Sequence, residues 1–301
     1  MKFNARNILA YFVAQFFIFM GLVNRAKKNA LKGDHILSIY FHHPSKKEFE
    51  FTIQWLTKNG FTFISIADLK KVLNGSLPFP KGAVLITADD AWASNFANLA
   101  AVAIQKKVPL TIFVPSEAIE EGNYWFNYAK KAKRLGMNYP TSQELKKFPN
   151  QERNAILSEI KKKINLPREA MTISEIQSIA QSQWISLGGH SHSHPILPNC
   201  NNKELQLELS VNKEKLNKWI NHQIDTFAYP NGDFGIREKN ALKKEGFQLG
   251  FSNKPDYLTP SALKLIYEIP RIGFLEGASN AENICRLVGV WHKNVLRLFR
   301  K

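Results

Sequence analysis

Three imidazoles fall within five residues, at His190, His192 and His194, in a chain of 301 residues that holds eight histidines in all. Such density suits metal ligation, because neutral imidazole binds zinc and several other divalent ions. If the segment turns helically, His190 and His194 share a face and His192 points away; if it stays extended, all three share a face. Pro195 disfavours helix at His194, and both geometries stay open. The second feature is Asp89-Asp90 in TADDAW, residues 87–92. Adjacent carboxylates repel, so the pair fits one residue that binds a cation and one that acts as a base. A turn or helix cap is the plainer reading. The third is FAYPNGDFG, residues 227–235, a turn in which a backbone N–H could face an oxyanion.

Each feature follows a predicted strand, at the edge of a parallel α/β sheet where active sites gather. Strands are expected at 36–42, 61–65, 83–87, 109–114, 184–187, 225–230 and 247–252. Between them lie helical patterns: one after Ser45 and Glu48, which form a capping-box pair; one at 69–73; an alanine-rich one running to about Lys106; and others at 203–220 and 236–245. This is β-α alternation with buried parallel strands. Residues 120–180 differ. They read as long polar helices rich in lysine, an insertion or lid beside the site. A helical tail begins near Ala281 and ends in the basic sequence WHKNVLRLFRK.

With these motifs the chain resembles the polysaccharide deacetylases, the NodB-homology carbohydrate esterases. TADDA is similar to that family's TFDDG, and GGHSHSHPIL to its H-[ST]-x-x-H followed by Pro-x-Leu. FAYPNG resembles its third motif. The likeness runs from about Ile36 to Phe274. The N-terminal part, with YFHH at 40–43, NGFTFIS and LPFPKGAVLIT, resembles the branch that deacetylates poly-N-acetylglucosamine-type exopolysaccharides. The resemblance implies an α/β fold, a distorted (β/α) barrel. It implies Asp89 as general base and Asp90, His190 and His194 as ligands of a divalent metal, zinc first. It places Tyr229, Pro230 and Asn231 against substrate, and implies an N-acetylated glycan or lipid-linked sugar as that substrate. Two departures stand out. Motif three lacks the arginine that would orient the base, and Arg271 in IPRIGF is the candidate replacement. The family's late Leu-x-His, source of the acid, is not evident; His42, at the end of the first strand, is preferred over His43 and His292. A glycan-binding pseudoenzyme and a hydrolase of O-acetyl esters or non-sugar amides are the competing functions.

Composition is that of a globular protein, with 44% apolar and 22% charged residues. Cys200 and Cys285 are too few for a disulfide framework and are expected reduced. Lys plus Arg number 41 against 25 Asp plus Glu, a net +16, which favours anionic partners. No nucleic acid is expected: neither zinc-finger spacing nor an RNP-like aromatic motif is present. Residues 1–33 contain no acid and hold an apolar run from Ile8 to Val23 between Lys2 and Arg6 and the basic set Arg25, Lys27, Lys28 and Lys32. Those sixteen residues would rise about 24 Å, short of a hydrocarbon core of roughly 30 Å. They are expected to anchor the catalytic domain, 34–301, to an anionic membrane surface. The charge asymmetry favours the cytoplasmic face of a bacterial inner membrane; export, and a helix packed on the protein's own core, are the alternatives.

Overall fold

The computed structural model describes residues 4–294. Its sheet contains β1 (Leu37–Phe41), β2 (Thr62–Ile64), β3 (Ala83–Ala88), β4 (Leu110–Val114), β5 (Ile185–Gly189), β6 (Thr226–Ala228), β7 (Leu249–Phe251) and β8 (Ile272–Gly273). Every ladder is parallel, in the order β7-β6-β5-β4-β3-β1-β8, with β2 on the first half of β3 and β4 on the second. The central strands are largely apolar and buried because helices cover them; all six residues of β3 are buried. Ile269 bridges to Phe251 of β7, while Ile272 and Gly273 pair with Ile39 and Tyr40 of β1. The stretch 269–273 therefore joins the two ends of the sheet, which curls into the distorted (β/α) barrel expected from the sequence.

The helices are α1 (Ala5–Phe19), α2 (Leu22–Lys32), α3 (Lys46–Lys58), α4 (Ile66–Leu73), α5 (Ala93–Asn95), α6 (Ala101–Lys106), α7 (Ser116–Glu121), α8 (Trp125–Arg134), α9 (Ser142–Leu145), α10 (Asn150–Lys163), α11 (Ile173–Ala180), α12 (Asn202–Ile220), α13 (Ile236–Lys244), α14 (Pro260–Leu263), α15 (Asn280–Leu287) and α16 (Val290–Asn294). The expected capping box opens α3: Ser45 N donates to Glu48 Oε2 at 2.8 Å and Glu48 N to Ser45 Oγ at 3.4 Å.

Several elements differ from expectation. The helix expected at 69–73 starts earlier, because Ser65 and Asp68 form a second capping box. The alanine-rich helix is broken by a π-helical turn, Phe96–Ala100, between α5 and α6. The tail is two helices parted at Gly289, where φ is +75°; the last part of its basic sequence, 295–301, lies outside the described residues. In the lysine-rich stretch, α8, α9 and α10 enclose their own apolar cluster around Trp125, Leu145, Leu157 and Ile160. By contrast, Ile176 and Ile179 of α11 join the main core. Both cysteines are free and buried.

Candidate metal centre

β3 and β5 deliver the chemistry, and a sharp turn after each strand aims it. Asp90 and Ala91 take left-handed backbone angles, φ +76° and +54°, costly for residues with a Cβ. The turn after β5 does the same at Ser191 (φ +62°) and His194 (φ +55°). The histidine segment is thus neither helical nor extended. His190 and His194 face one another while His192 turns away, with Nδ1 2.9 Å from Ser116 Oγ. Gly188 and Gly189 permit this approach. A Cβ on the first would lie 2.6 Å from the Phe113 ring, and on the second 2.6 Å from Asn212 Oδ1.

Asp90, His190 and His194 offer ligand atoms that all lie within 4.8 Å of one another. Asp90 Oδ1 is 3.5 Å from His190 Nε2 and 3.2 Å from His194 Nε2, and the two nitrogens are 3.2 Å apart. A tetrahedral ion with donors at about 2.1 Å needs donor–donor edges of roughly 3.4 Å, so the three residues fit one. The donor chemistry agrees. His190 Nδ1 is 2.7 Å from the Ala228 carbonyl, which can only accept. The proton therefore sits on Nδ1, and the Nε2 lone pair is free for a metal. His194 Nδ1 is buried without a protein partner.

Neighbouring aromatics hold the ligand turns. Trp92 Nε1 donates to Asp90 Oδ2 at 3.1 Å, Tyr124 OH to the Asp90 carbonyl at 2.9 Å, and Trp125 Nε1 to the His194 carbonyl at 2.8 Å. Asn212 ties β5 to β4: its Oδ1 accepts from His190 N at 3.2 Å and its Nδ2 donates to Val114 O at 2.9 Å. Trp125→Phe keeps a ring in the cluster but removes the bond to the His194 turn. It is expected to weaken binding of an added divalent ion about tenfold to a hundredfold, measured by competition with a chelating dye. An unchanged Kd would mean that the turn is held without it.

Asp89 sits on the other side of this centre. Arg271 grips both its oxygens, Nη1 to Oδ1 at 2.7 Å and Nη2 to Oδ2 at 2.8 Å. Arg271 is fully buried. It also donates to Thr87 Oγ1 at 3.0 Å and Ser252 O at 2.9 Å, and its guanidinium lies 4.7 Å from the Tyr40 ring centre and 5.4 Å from that of Phe113. The barrel explains the placement. Arg271 lies in the stretch that closes the sheet beside β1, so its side chain enters between strand ends. Burial by itself would raise the Asp89 carboxyl; the Arg271 charge, helped by His190, overcomes this and holds it below its ordinary value. For Asp90, burial is likewise outweighed by the adjoining His190 and His194 rings, and its carboxyl is held well below the usual range. Both aspartates are therefore anionic at neutral pH.

Asp89, Asp90, His190 and His194 line a cavity of about 240 Å³ together with Tyr40, His42, His43, Phe126, Lys146 and Asn231; Arg271 lies behind the wall. Of the three histidines weighed as the acid, His42 and His43 line it. His292 does not: it lies in α16 with neither ring nitrogen partnered, and burial pushes it down to about 4. In the third motif Tyr229 and Asn231 line the cavity, and Pro230 is buried outside the lining. The Tyr229 hydroxyl is already given to the Tyr267 carbonyl at 2.8 Å. Asn231, at φ +58°, accepts from Lys146 Nζ at 2.6 Å. Trp92, Tyr124, Trp125 and Lys146 carry no motif that marks them for the site; the aromatic run Tyr124-Trp125-Phe126 is their one signal in the sequence.

From residue 76 to residue 250 the chain matches the family model described as Polysaccharide deacetylase. Bacillus subtilis (strain 168) YxkH, named as a polysaccharide deacetylase, is 20% identical over 210 residues. That alignment covers 70% of this chain and 58% of YxkH, so the chain spans little more than half of this relative. Three solved structures share the fold. Streptococcus pyogenes deacetylase PplD, in complex with acetate, has a TM-score of 0.60 at 16% identity, over 84% of this chain and 97% of that one. IcaB from Ammonifex degensii has 0.60 at 15%, over 85% and 97%. The BpsB deacetylase domain from Bordetella bronchiseptica has 0.58 at 16%, over 80% and 96%.

Proposed function

The chain belongs to the polysaccharide deacetylase family, and from that premise we propose that it is a divalent-metal hydrolase releasing acetate from an N-acetylated glycan or lipid-linked sugar. One observation carries the reading: a two-histidine, one-aspartate donor set converges at a cavity wall beside a separate carboxylate that a buried arginine holds in place. Two imidazoles and a carboxylate suit zinc first. Such an ion, when bound, polarises the acetamide carbonyl and acidifies water.

The remaining work falls to the chain's own side chains. Asp89 takes a proton from the attacking water. The Arg271 fork occupies one lone pair on each Asp89 oxygen and leaves the others to accept it. A bond forms between water oxygen and acetyl carbon, the carbon–nitrogen bond breaks, and the departing amine needs a proton. His42, on the cavity wall at the end of β1, is assigned to supply it. Asn231, on the cavity wall in the third motif, is assigned to the sugar. Within the family the exopolysaccharide-type branch is favoured, on the strength of the YFHH sequence and the position of His42.

The test couples metal analysis to acetate release from a panel of N-acetylated oligosaccharides, a lipid-linked N-acetyl sugar and O-acetyl esters. Chelator is expected to abolish release from an N-acetyl substrate and added zinc to restore it. Stoichiometric metal with saccharide binding but no acetate would identify a glycan-binding pseudoenzyme. Faster release from the esters would identify an esterase.

A further inference from the structure

Of the thirteen exposed large apolar side chains among the described residues, seven lie between Ile8 and Met20. Six of them lie on α1 and Met20 caps it, and the helix is itself fixed in place. The inner face of α1, Asn7, Ala10, Ala14 and Phe17, is buried. Arg6 pairs with Glu282 of α15 at 2.5 Å, Asn7 Nδ2 donates to Gly277 O at 3.2 Å, and Cys285 Sγ donates to Ala14 O at 3.6 Å. The outer face carries Leu9, Phe12, Phe16 and Phe19, spaced by three and four residues, with Phe19 86% exposed. After a bend of 63°, α2 presents Arg25, Lys28 and Lys32 to solvent. No acidic residue occurs in 1–33 to offset them.

We propose that this face docks the protein on an anionic lipid bilayer. On that assignment α1 lies in the plane of the membrane, its outer stripe at the acyl boundary and the basic residues of α2 among anionic headgroups, as on a cytoplasmic leaflet. Charge complementarity selects the occupant: a wide apolar stripe beside unopposed cations fits a bilayer surface. Spanning does not fit. The fifteen residues of α1 rise about 22 Å against roughly 30 Å of hydrocarbon, and insertion would strip Arg6 and Asn7 from their partners. The docking stands apart from the deacetylase reading, but one consequence rests on it. Glu276, next to the residue that Asn7 holds, accepts from the backbone N–H groups of His42 and His43 at 3.1 and 3.3 Å, and both histidines line the cavity. The start of α1 is therefore linked to the cavity wall through residues 276 and 277, and a docked protein would meet a membrane-borne sugar at raised local concentration.

The experiment is co-sedimentation of the full-length protein with vesicles of phosphatidylglycerol and phosphatidylcholine, against phosphatidylcholine alone. Binding is expected on the anionic vesicles, weaker on the neutral ones and weakened by salt. Phe12→Ser with Phe16→Ser is expected to lower partitioning about a hundredfold, with metal content and melting curve unchanged. The proposal is overturned if the wild type stays in the supernatant at low salt, or if the double variant binds as well. It is equally overturned by a vesicle-free dimer that the double variant loses, which would make a second copy the occupant. An N-terminal tag shielded from protease added outside the vesicles would show a spanning helix and overturn it too.

Discussion

Asp89→Asn is expected to lower kcat for acetate release by about 10³-fold or more and to leave metal content unchanged. The two effects separate because neighbouring aspartates answer to different partners. Asp90 is held by His190, His194 and the Trp92 indole, and its backbone carbonyl by Tyr124. Asp89 is held by Arg271, while its backbone N–H donates to Phe41 O at 2.9 Å. An asparagine keeps that backbone bond and the side-chain shape but has no carboxylate to receive a proton. It also turns an amide donor toward a guanidinium that can only donate. Arg271 then lies among Tyr40, Phe113 and Phe251 without a counter-charge, which should cost about 3 kcal/mol or more in denaturant unfolding. Acetate release within tenfold of wild type would remove Asp89 from the reaction. Loss of the metal would mean that the two aspartates do not act separately.

The parts of this site that the sequence reveals are those with local density. β1 and β3 are largely buried and apolar, and the histidine cluster stands out in a chain with few histidines. Less legible are the devices that make the cluster converge. Asp90, Ala91, Ser191 and His194 adopt left-handed angles with no glycine to announce them. Ala91 stands where the family pattern has glycine, and the turn persists because the carbonyl on one side is bonded to Tyr124 OH and that of Ala91 itself to Met171 N at 3.0 Å. Contacts such as Trp125 to His194, or Asn212 to Val114, join residues about 70 and 98 positions apart in sequence. Each is a single long-range bond, so none leaves a periodicity to read. β8 is only two residues long and gives no strand pattern, yet it places Arg271. The lack, in this chain's third motif, of the arginine that the family carries pointed to that residue; the barrel closure explains why a position so far along the chain can serve.

Arg271→Met tests that substitution of one scaffold position for another. The variant is expected to lose about 3–5 kcal/mol of stability and at least a hundredfold in kcat. Methionine can fill the space between Tyr40, Phe113 and Phe251, so the loss is electrostatic rather than a cavity. Asp89 becomes a buried anion with no partner, and the Ser252 carbonyl and Thr87 hydroxyl lose their donor. Stability by itself would not distinguish a positioning residue from a merely structural one. Arg271→Lys does so: it keeps the charge but not the fork, and one ammonium cannot hold both Asp89 oxygens in a fixed plane. Most of the stability should return while kcat stays at least about tenfold down. A third variant, Asp89→Leu with Arg271→Met, replaces the pair by apolar groups and should be more stable than Arg271→Met alone, since no charge is left uncompensated. It should release no acetate. If Arg271→Met unfolds more easily yet keeps kcat within threefold of wild type, the arginine supports the barrel only, and another group must aim the base.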